Sequence, residues 1–342
     1  MFKKIGKCVV LFVLFVAIFA LAGCGQSSAA DPYAQFKGRN MNFIVPYTAG
    51  GGFDQYARLL APAIEKFIPG LTVVVRNEPG AGSIVGTNQT YLARADGLTV
   101  GIINVPGMTF TQMMGSEGVR FDLANFTYIC RVSSESHVLA LGAQSPFNSV
   151  EDLRNAGRPI KIAFTGVGSD DYYAAIILFK AMGVEIDLIA GYNGQNEATL
   201  AVVRGEVDGT MSTFSSLSTA LGNKDVKAIM QLADVKIAGL EDVPFAEDLV
   251  SGADAVASIR SIKNIFALDR CIVSSPNLPE DVKTVLRDAF KQALNDPEFL
   301  ERAATAKRPI SPLYGAEIDP LLEEAMQNAE GIKDVLTAAM KK

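Results

Sequence analysis

Between residues 41 and 56 the chain reads Met41-Asn-Phe-Ile-Val-Pro-Tyr-Thr-Ala-Gly-Gly-Gly-Phe-Asp-Gln-Tyr56, and this stretch narrows the possible folds most. Phe43, Ile44 and Val45 make a short apolar run suited to a buried strand. Pro46 ends it, because a ring nitrogen cannot donate to a sheet ladder. After Gly50, Gly51 and Gly52, a helical pattern puts Tyr56, Leu59, Leu60, Ala63, Ile64 and Phe67 on one face. A strand, a glycine turn and a helix leave backbone N–H groups unpaired at a positive helix end, which is an anion site. An ordinary tight turn of an α/β domain is the competing reading. Asp54 is expected to cap the helix, since its carboxylate would repel an anion.

The same unit recurs downstream. Residues 71–75 read as a strand, followed by a turn with Gly80, Gly82 and Gly86 and a second helix to about Arg94. That spacing, G-x-G-x-x-x-G, is one residue too long for a dinucleotide fingerprint, so no nucleotide cofactor is expected. Ser83 is a candidate cap of that helix. Residues 98–104 form a third strand, ending at Asn104. The order β-α-β-α-β implies a parallel sheet with helices on its faces and ligands at the strands' carboxyl ends. There Tyr47, Thr48, Ala49, Gly50, Gly51, Ser83 and Asn104 would gather.

A third strand-to-helix turn, Thr165-Gly-Val-Gly-Ser-Asp-Asp171, repeats the logic of the first. Asp170 and Asp171 fall in the first helical turn, where they favour the helix dipole. Strands are expected at residues 185–190, 210–214 and 226–232, with the polar run Gly191-Tyr-Asn-Gly-Gln-Asn-Glu197 after the first of them. Residues 265–273 also read as a strand, Pro279 opens a strong helix, and a last helix starts near Ile318. These late helices have no strands of their own and must lean on the first sheet, so the chain crosses between lobes twice.

The N-terminus is a processing signal. Lys3, Lys4 and Lys7 precede an apolar run at residues 9–20, short of the ~20 residues that span a bilayer. Leu21-Ala-Gly-Cys24 then resembles a bacterial lipobox, in which Cys24 is lipidated and becomes the new N-terminus. Loss of the three lysines takes the net charge from −6 to −9. So acidic a surface is a poor match for nucleic acid, and the membrane link is expected through lipid on Cys24. Of four cysteines, Cys130 and Cys271 remain; with one histidine, His137, and no C-x-x-C pair, no metal site is expected. Burial is favoured over a disulfide for both thiols. No G-x-S-x-G turn is present, His137 has no nucleophile motif to serve, and an enzyme is not expected.

Val45-Pro-Tyr-Thr-Ala-Gly-Gly-Gly-Phe-Asp54 and Val75-Arg-Asn-Glu-Pro-Gly-Ala-Gly-Ser83 carry a family resemblance. It is supported more weakly by Ala95-Asp-Gly-Leu-Thr99, Phe164-Thr-Gly-Val-Gly-Ser169 and Gly205-Glu-Val-Asp208. On these residues the chain resembles the substrate-binding receptors of tripartite tricarboxylate transporters, the Bug family. The resemblance implies an α/β periplasmic-binding-protein fold with two mainly parallel sheets and two crossovers. The expected layout is a signal peptide at 1–23, a tether at 24–38, one lobe at 39–138 plus 265–342, and the other at 139–264. It further implies a monomeric receptor that closes on a small carboxylate and serves large and small integral-membrane transporter subunits. A lipoprotein that senses the same ligand for a signalling partner is the alternative.

One ligand carboxylate would be gripped by Tyr47, Thr48, Ala49, Gly50 and Gly51 on one side. Gly166, Val167, Gly168 and Ser169 would face them, with Gly51 and Gly168 approaching the anion most closely. Tyr192, Asn193, Asn196, Ser212 and Thr213 are candidate liners, with loop or core duty as the competing reading for each. The chain departs from the family pattern at Tyr47, where phenylalanine is common, and at Phe53, where a small hydroxyl residue is common. A lysine is also missing from Ala190-Gly-Tyr-Asn-Gly194.

Overall fold

The structure is a computed structural model that describes residues 31–167 and 169–340; Cys24 and Gly168 lie outside the described residues. From Phe36 onward the chain forms one compact unit. Its first stretch runs β1 (Asn40–Val45), α1 (Gly52–Phe67), β2 (Thr72–Asn77), α2 (Ile84–Tyr91), β3 (Thr99–Ile103), α3 (Val105–Met113) and β4 (Thr127–Arg131). Next come β5 (His137–Gly142), α4 (Val150–Arg154), β6 (Ile160–Phe164), α5 (Asp170–Met182), β7 (Ile186–Ala190) and α6 (Gln195–Val203). They continue through β8 (Gly209–Thr213), α7 (Phe214–Gly222), β9 (Val226–Leu232) and α8 (Ala253–Phe266). The chain then returns as β10 (Cys271–Ser274), α9 (Glu280–Leu294), α10 (Pro297–Thr305), β11 (Leu313–Tyr314) and α11 (Asp319–Met340).

Two sheets result, in the orders β11-β4-β10-β3-β1-β2 and β7-β6-β8-β5-β9. The β1–β2, β1–β3, β6–β7 and β6–β8 pairs are parallel, as right-handed β-α-β units require. The remaining pairs are antiparallel, so the sheets are mixed. The cause is the path of the chain. β5 and β10 are the strands laid down immediately after each crossing, and each enters its sheet running against its neighbours.

Residues 265–273, expected to form one strand, are instead the end of α8, a linker and β10. Ile259, Ile262, Ile265 and Phe266 bury one face of α8 at helical spacing. Cys130 on β4 and Cys271 on β10 are buried free thiols.

α1 buries Tyr56, Leu60 and Ile64, each contributing about 1.5–3 kcal/mol by leaving water. α9 lies against α1 and β4, as expected of a late helix leaning on the first sheet. α11 differs: it packs on α8, α3 and α5, and so spans elements of both lobes. One apolar cluster runs through these helices, with the Phe110 and Tyr173 rings 5.2 Å apart where α3 meets α5.

Candidate functional site

The parallel strands of both sheets deliver their carboxyl ends to one interlobe cleft. At the end of β1 the turn is held by Gly50, whose φ of +86° favours glycine. Asp54 is not the helix cap; Gly51 occupies that position and no side chain caps α1. Instead Asp54 reaches back along the turn. Its Oδ2 accepts from the Gly50 N–H at 2.8 Å and from Arg58 Nε at 2.9 Å, while Oδ1 accepts from Asn77 Nδ2 at 2.9 Å. Burial works against its charge, but these donors outweigh it and keep the carboxyl below its ordinary range. The Gly50 amide is therefore already committed, and the Thr48 amide donates to Asn193 O of the other lobe at 3.3 Å. The uncapped N-terminus at Gly51, Gly52 and Phe53 is left facing a cavity of about 40 Å³.

On the other side Ser169 caps α5, its Oγ accepting from the Tyr172 N–H at 3.2 Å. Its hydroxyl is spent on the helix, and Ser169 lines neither interlobe cavity. Asp170 and Asp171 do more than favour the dipole. Asn104 Nδ2 donates to Asp170 Oδ1 at 2.7 Å and to the Tyr47 hydroxyl at 3.0 Å, joining the lobes. His137 Nδ1 donates to Glu135 O at 3.1 Å, and Nε2 lies 3.3 Å from Asp170 Oδ2 and 3.5 Å from Asp171 Oδ1. The Phe266 ring covers the imidazole, 4.2 Å between centroids.

Burial would lower the His137 pKa, but the Asp171 and Asp170 carboxylates outweigh it and raise it to about 9. Burial also works against Asp170, yet its bonds with His137 and Asn104 pull its pKa below the ordinary range. Asp171 has too little compensation: burial and the Asp170 charge push it well above that range. The ligand atoms of His137, Asp170 and Asp171 lie within 4.8 Å of one another. Counting Cys and His in the sequence could not find this grouping, because two of its members are aspartates on a different element.

Arg270 completes the site from the second crossing. It is 1% exposed, with its backbone held at φ +53°. Its guanidinium pairs with Asp269 and with Glu135 Oε1 (3.0 Å), donates to Thr213 Oγ1 (3.0 Å) and sits 5.0 Å over the rings of Phe53 and Tyr56. Burial disfavours its charge, but Asp269 and Glu135 outweigh this and raise its pKa. Sequence reasoning missed Arg270, Asp269 and Glu135. The available signal was the Asp269-Arg270 pair, a charged break inside an otherwise apolar run.

Gly51, Ser212 and Thr213 line the small cavity, and Tyr47 lines both it and an adjoining cleft of about 520 Å³. Ser83, Gly166, Val167, Tyr192 and Asn193 line that larger cleft. Ser83 occupies the position before α2, but at φ +84° it makes no capping bond; its hydroxyl turns to Met108 Sδ at 3.7 Å. Asn104 stands behind Tyr47 rather than in a cavity wall. Thr48 and Gly50 form the seam between lobes, where Asn196 Nδ2 donates to Gly50 O at 3.1 Å. Ala49 is exposed and lines neither cavity.

Gly51 has room on its protein side: a Cβ there would stand 3.6 Å from Thr48 O. The tight positions at the cleft include Gly52, Gly166 and Gly194, where a Cβ would stand 2.3 Å from Thr48 Oγ1. A Cβ on Gly52 would stand 2.8 Å from Ser216 Oγ, and one on Gly166 would stand 2.8 Å from the Gly82 backbone nitrogen.

Two α/β lobes joined by two crossings and closed over a polar cleft define a two-lobed periplasmic binding protein. The chain belongs to the tripartite tricarboxylate transporter receptor family, TctC, whose family model matches residues 56–322. It is 26% identical over 291 residues to a UPF0065 protein from the tcbD–tcbE intergenic region of Pseudomonas sp. strain P51, covering 84% of this chain and 83% of that one. Among solved structures it resembles the periplasmic binding protein BugD, with a TM-score of 0.73 at 22% identity over 87% of this chain and 97% of BugD. MatC of Rhodopseudomonas palustris, solved with bound malate, gives 0.72 at 20% identity over 87% and 99%. Rpa4515 of R. palustris, solved with adipate, gives 0.73 at 19% identity over 87% and 97%. The protein is thus an extracytoplasmic solute-binding receptor and not an enzyme.

Proposed function

We propose that this receptor captures a small organic carboxylate between its lobes, 39–138 plus 265–342 and 139–264, and hands it to the large and small membrane subunits of a tripartite transporter. One observation carries the reading: the uncapped N-terminus of α1 and Arg270 share the wall of one interlobe cavity. Helix amides and a guanidinium are the two groups best suited to a carboxylate. Hydrogen bonds to a charged group contribute about 1.5–3 kcal/mol each, so two or three of them support micromolar binding after ordering costs. Malate in MatC and adipate in Rpa4515 support a carboxylate ligand here too.

Tyr47, Gly51, Gly166, Val167, Tyr192, Asn193, Ser212 and Thr213 are the residues we assign to ligand contact or cleft lining, with Gly168 included from the turn's sequence. The receptor acts as a monomer tethered by lipid on Cys24. A thermal-shift screen of small mono-, di- and tricarboxylates tests the reading. A ligand at 100 times its Kd adds about 2.7 kcal/mol of apparent stability, a shift of a few degrees. No shift with any acid would overturn it. Cys24→Ala should release the protein from membranes, and continued association would remove the lipid from the account.

A further inference from the structure

A groove of about 870 Å³ runs between the lobes outside the ligand cleft and shares no lining residue with either cavity there. One wall comes from the 139–264 lobe, with Phe214 and Leu221 of α7 and Leu240 beyond β9. The other comes from α10 and the segment after it, with Leu300, Ala304 and Ile310. Phe214, Leu221, Leu240 and Ile310 are only half-buried, and Leu300 is 40% exposed. Apolar side chains left open on both walls of one recess mark a surface that another molecule covers. Its charge has a single sign. Lys227, Lys307 and Arg308 line the groove and no acidic residue does, on a chain of net charge −6. Lys227 is committed, its Nζ donating to Ser145 O at 2.8 Å and to Asn148 Oδ1 at 2.7 Å. Arg308 donates to two neutral oxygens, Gln55 Oε1 and Ser215 O, rather than to a carboxylate. Lys307 Nζ meets no acceptor among the described residues. Its backbone follows the end of α10 at φ +55°, a place that glycine usually takes.

We propose that a membrane subunit of the transporter docks in this groove through an apolar segment that carries a carboxylate. Its apolar side chains cover Phe214, Leu221 and Leu300, and its acid meets Lys307 and Arg308. This rests on the transporter reading above and gives the partner a place to bind. Two cations without an acidic partner in the groove select an acidic occupant. Half-open apolar walls suit a protein segment better than a small solute, whose pockets enclose most of its surface. Each lobe contributes one wall, so the groove has this shape only at this angle between the lobes. The contact that holds the receptor to its partner therefore also distinguishes the closed form from an open one.

The test adds the mature receptor, saturated with the acid found by thermal shift, to proteoliposomes holding the large and small membrane subunits. Ala304→Cys is labelled with benzophenone maleimide, which the buried thiols of Cys130 and Cys271 do not take up. On illumination it should cross-link to an apolar, acid-bearing segment of a membrane subunit. The same label on Leu92→Cys, 59% exposed at the end of α2 and outside the groove, should not. Lys307→Glu should slow uptake roughly tenfold, while calorimetry finds its affinity for the acid unchanged. A groove label that finds lipid, a second receptor or nothing would overturn the docking assignment. Equal cross-linking from both positions, or full uptake with Lys307→Glu, would overturn it as well. A wild-type receptor that binds the acid yet supports no uptake would overturn the transporter reading itself, and the docking with it.

Discussion

His137 keeps its proton because of where its other nitrogen points. A backbone carbonyl can only accept, so the bond to Glu135 O places a hydrogen on Nδ1. In a neutral ring Nε2 would then present a lone pair to Asp170 and Asp171, both within 3.5 Å. Protonation turns that repulsion into an ion pair, in keeping with a pKa raised to about 9. Since this lies above the ordinary value near 6.5, the stabilisation is complete below about pH 6.5 and is lost as pH rises through 9. The loss is on the order of 3 kcal/mol. The raised carboxyls of Asp171 and Asp269 slope the same way. Melting temperature should therefore fall across pH 6.5–9, and His137→Gln should flatten that part of the curve. A wild-type curve already flat there would refute the ion pair. At this scale the sequence was least legible: the lone histidine has no local motif, and its partners lie 33 and 34 positions away on another element.

At the level of elements, the strand–glycine–helix turns were readable and their division of labour was not. Both turns form where the sequence places them, because Pro46, the glycines and the apolar helix faces are local signals. The helix ends then differ for reasons of detail. Gly51 leaves α1 open, whereas Ser169 closes α5 and its first-turn aspartates turn toward the cleft. Which glycines meet the opposite lobe was not readable at the first turn, since it depends on a surface brought in from beyond residue 160.

The error at residues 265–273 has a similar origin. β-branched residues suit either element, and a nine-residue window straddled the end of one and the start of the other. The closest backbone approach predicts a separation of function from stability. Gly166→Val puts side-chain carbon where Gly82 backbone stands, and that backbone cannot step aside as a flexible side chain would. Ligand affinity should fall at least tenfold, about 1.4 kcal/mol, with the melting temperature of the empty protein nearly unchanged. Unaltered affinity would show that the lobes need not meet there.

For the molecule as a whole, two of the surfaces on which the lobes touch are unlike. One is the polar seam of Thr48–Asn193 and Gly50–Asn196 contacts; the other is the apolar packing of α3 and α11 against α5. Hydrogen bonds at the seam exchange readily with water, while apolar contact does not, so opening should begin at the seam and pivot on the packed side. A ligand that bonds to both lobes shifts the population toward the closed form. Solution scattering should then report a smaller radius of gyration when the ligand is added, and no change would mean that the empty receptor is already closed. The two-lobe plan and the number of crossings were legible, because each crossing follows from counting strands. The shared core was not, since nothing local marks α11 as reaching both lobes.

The position of β10 also bears on how such a protein is made. It sits between β3 and β4, so the first sheet has a gap at its centre until residues 271–274 arrive. A chain threaded amino end first across a membrane would carry the three-stranded β3-β1-β2 piece and a lone β4, with bare edges open to wrong pairings, for most of its passage. The first sheet cannot close its centre until residues 271–274, at the start of the last fifth of the polypeptide, have emerged. The crossing that brings Arg270 to the cleft wall also leaves the newborn first sheet open at its centre until late.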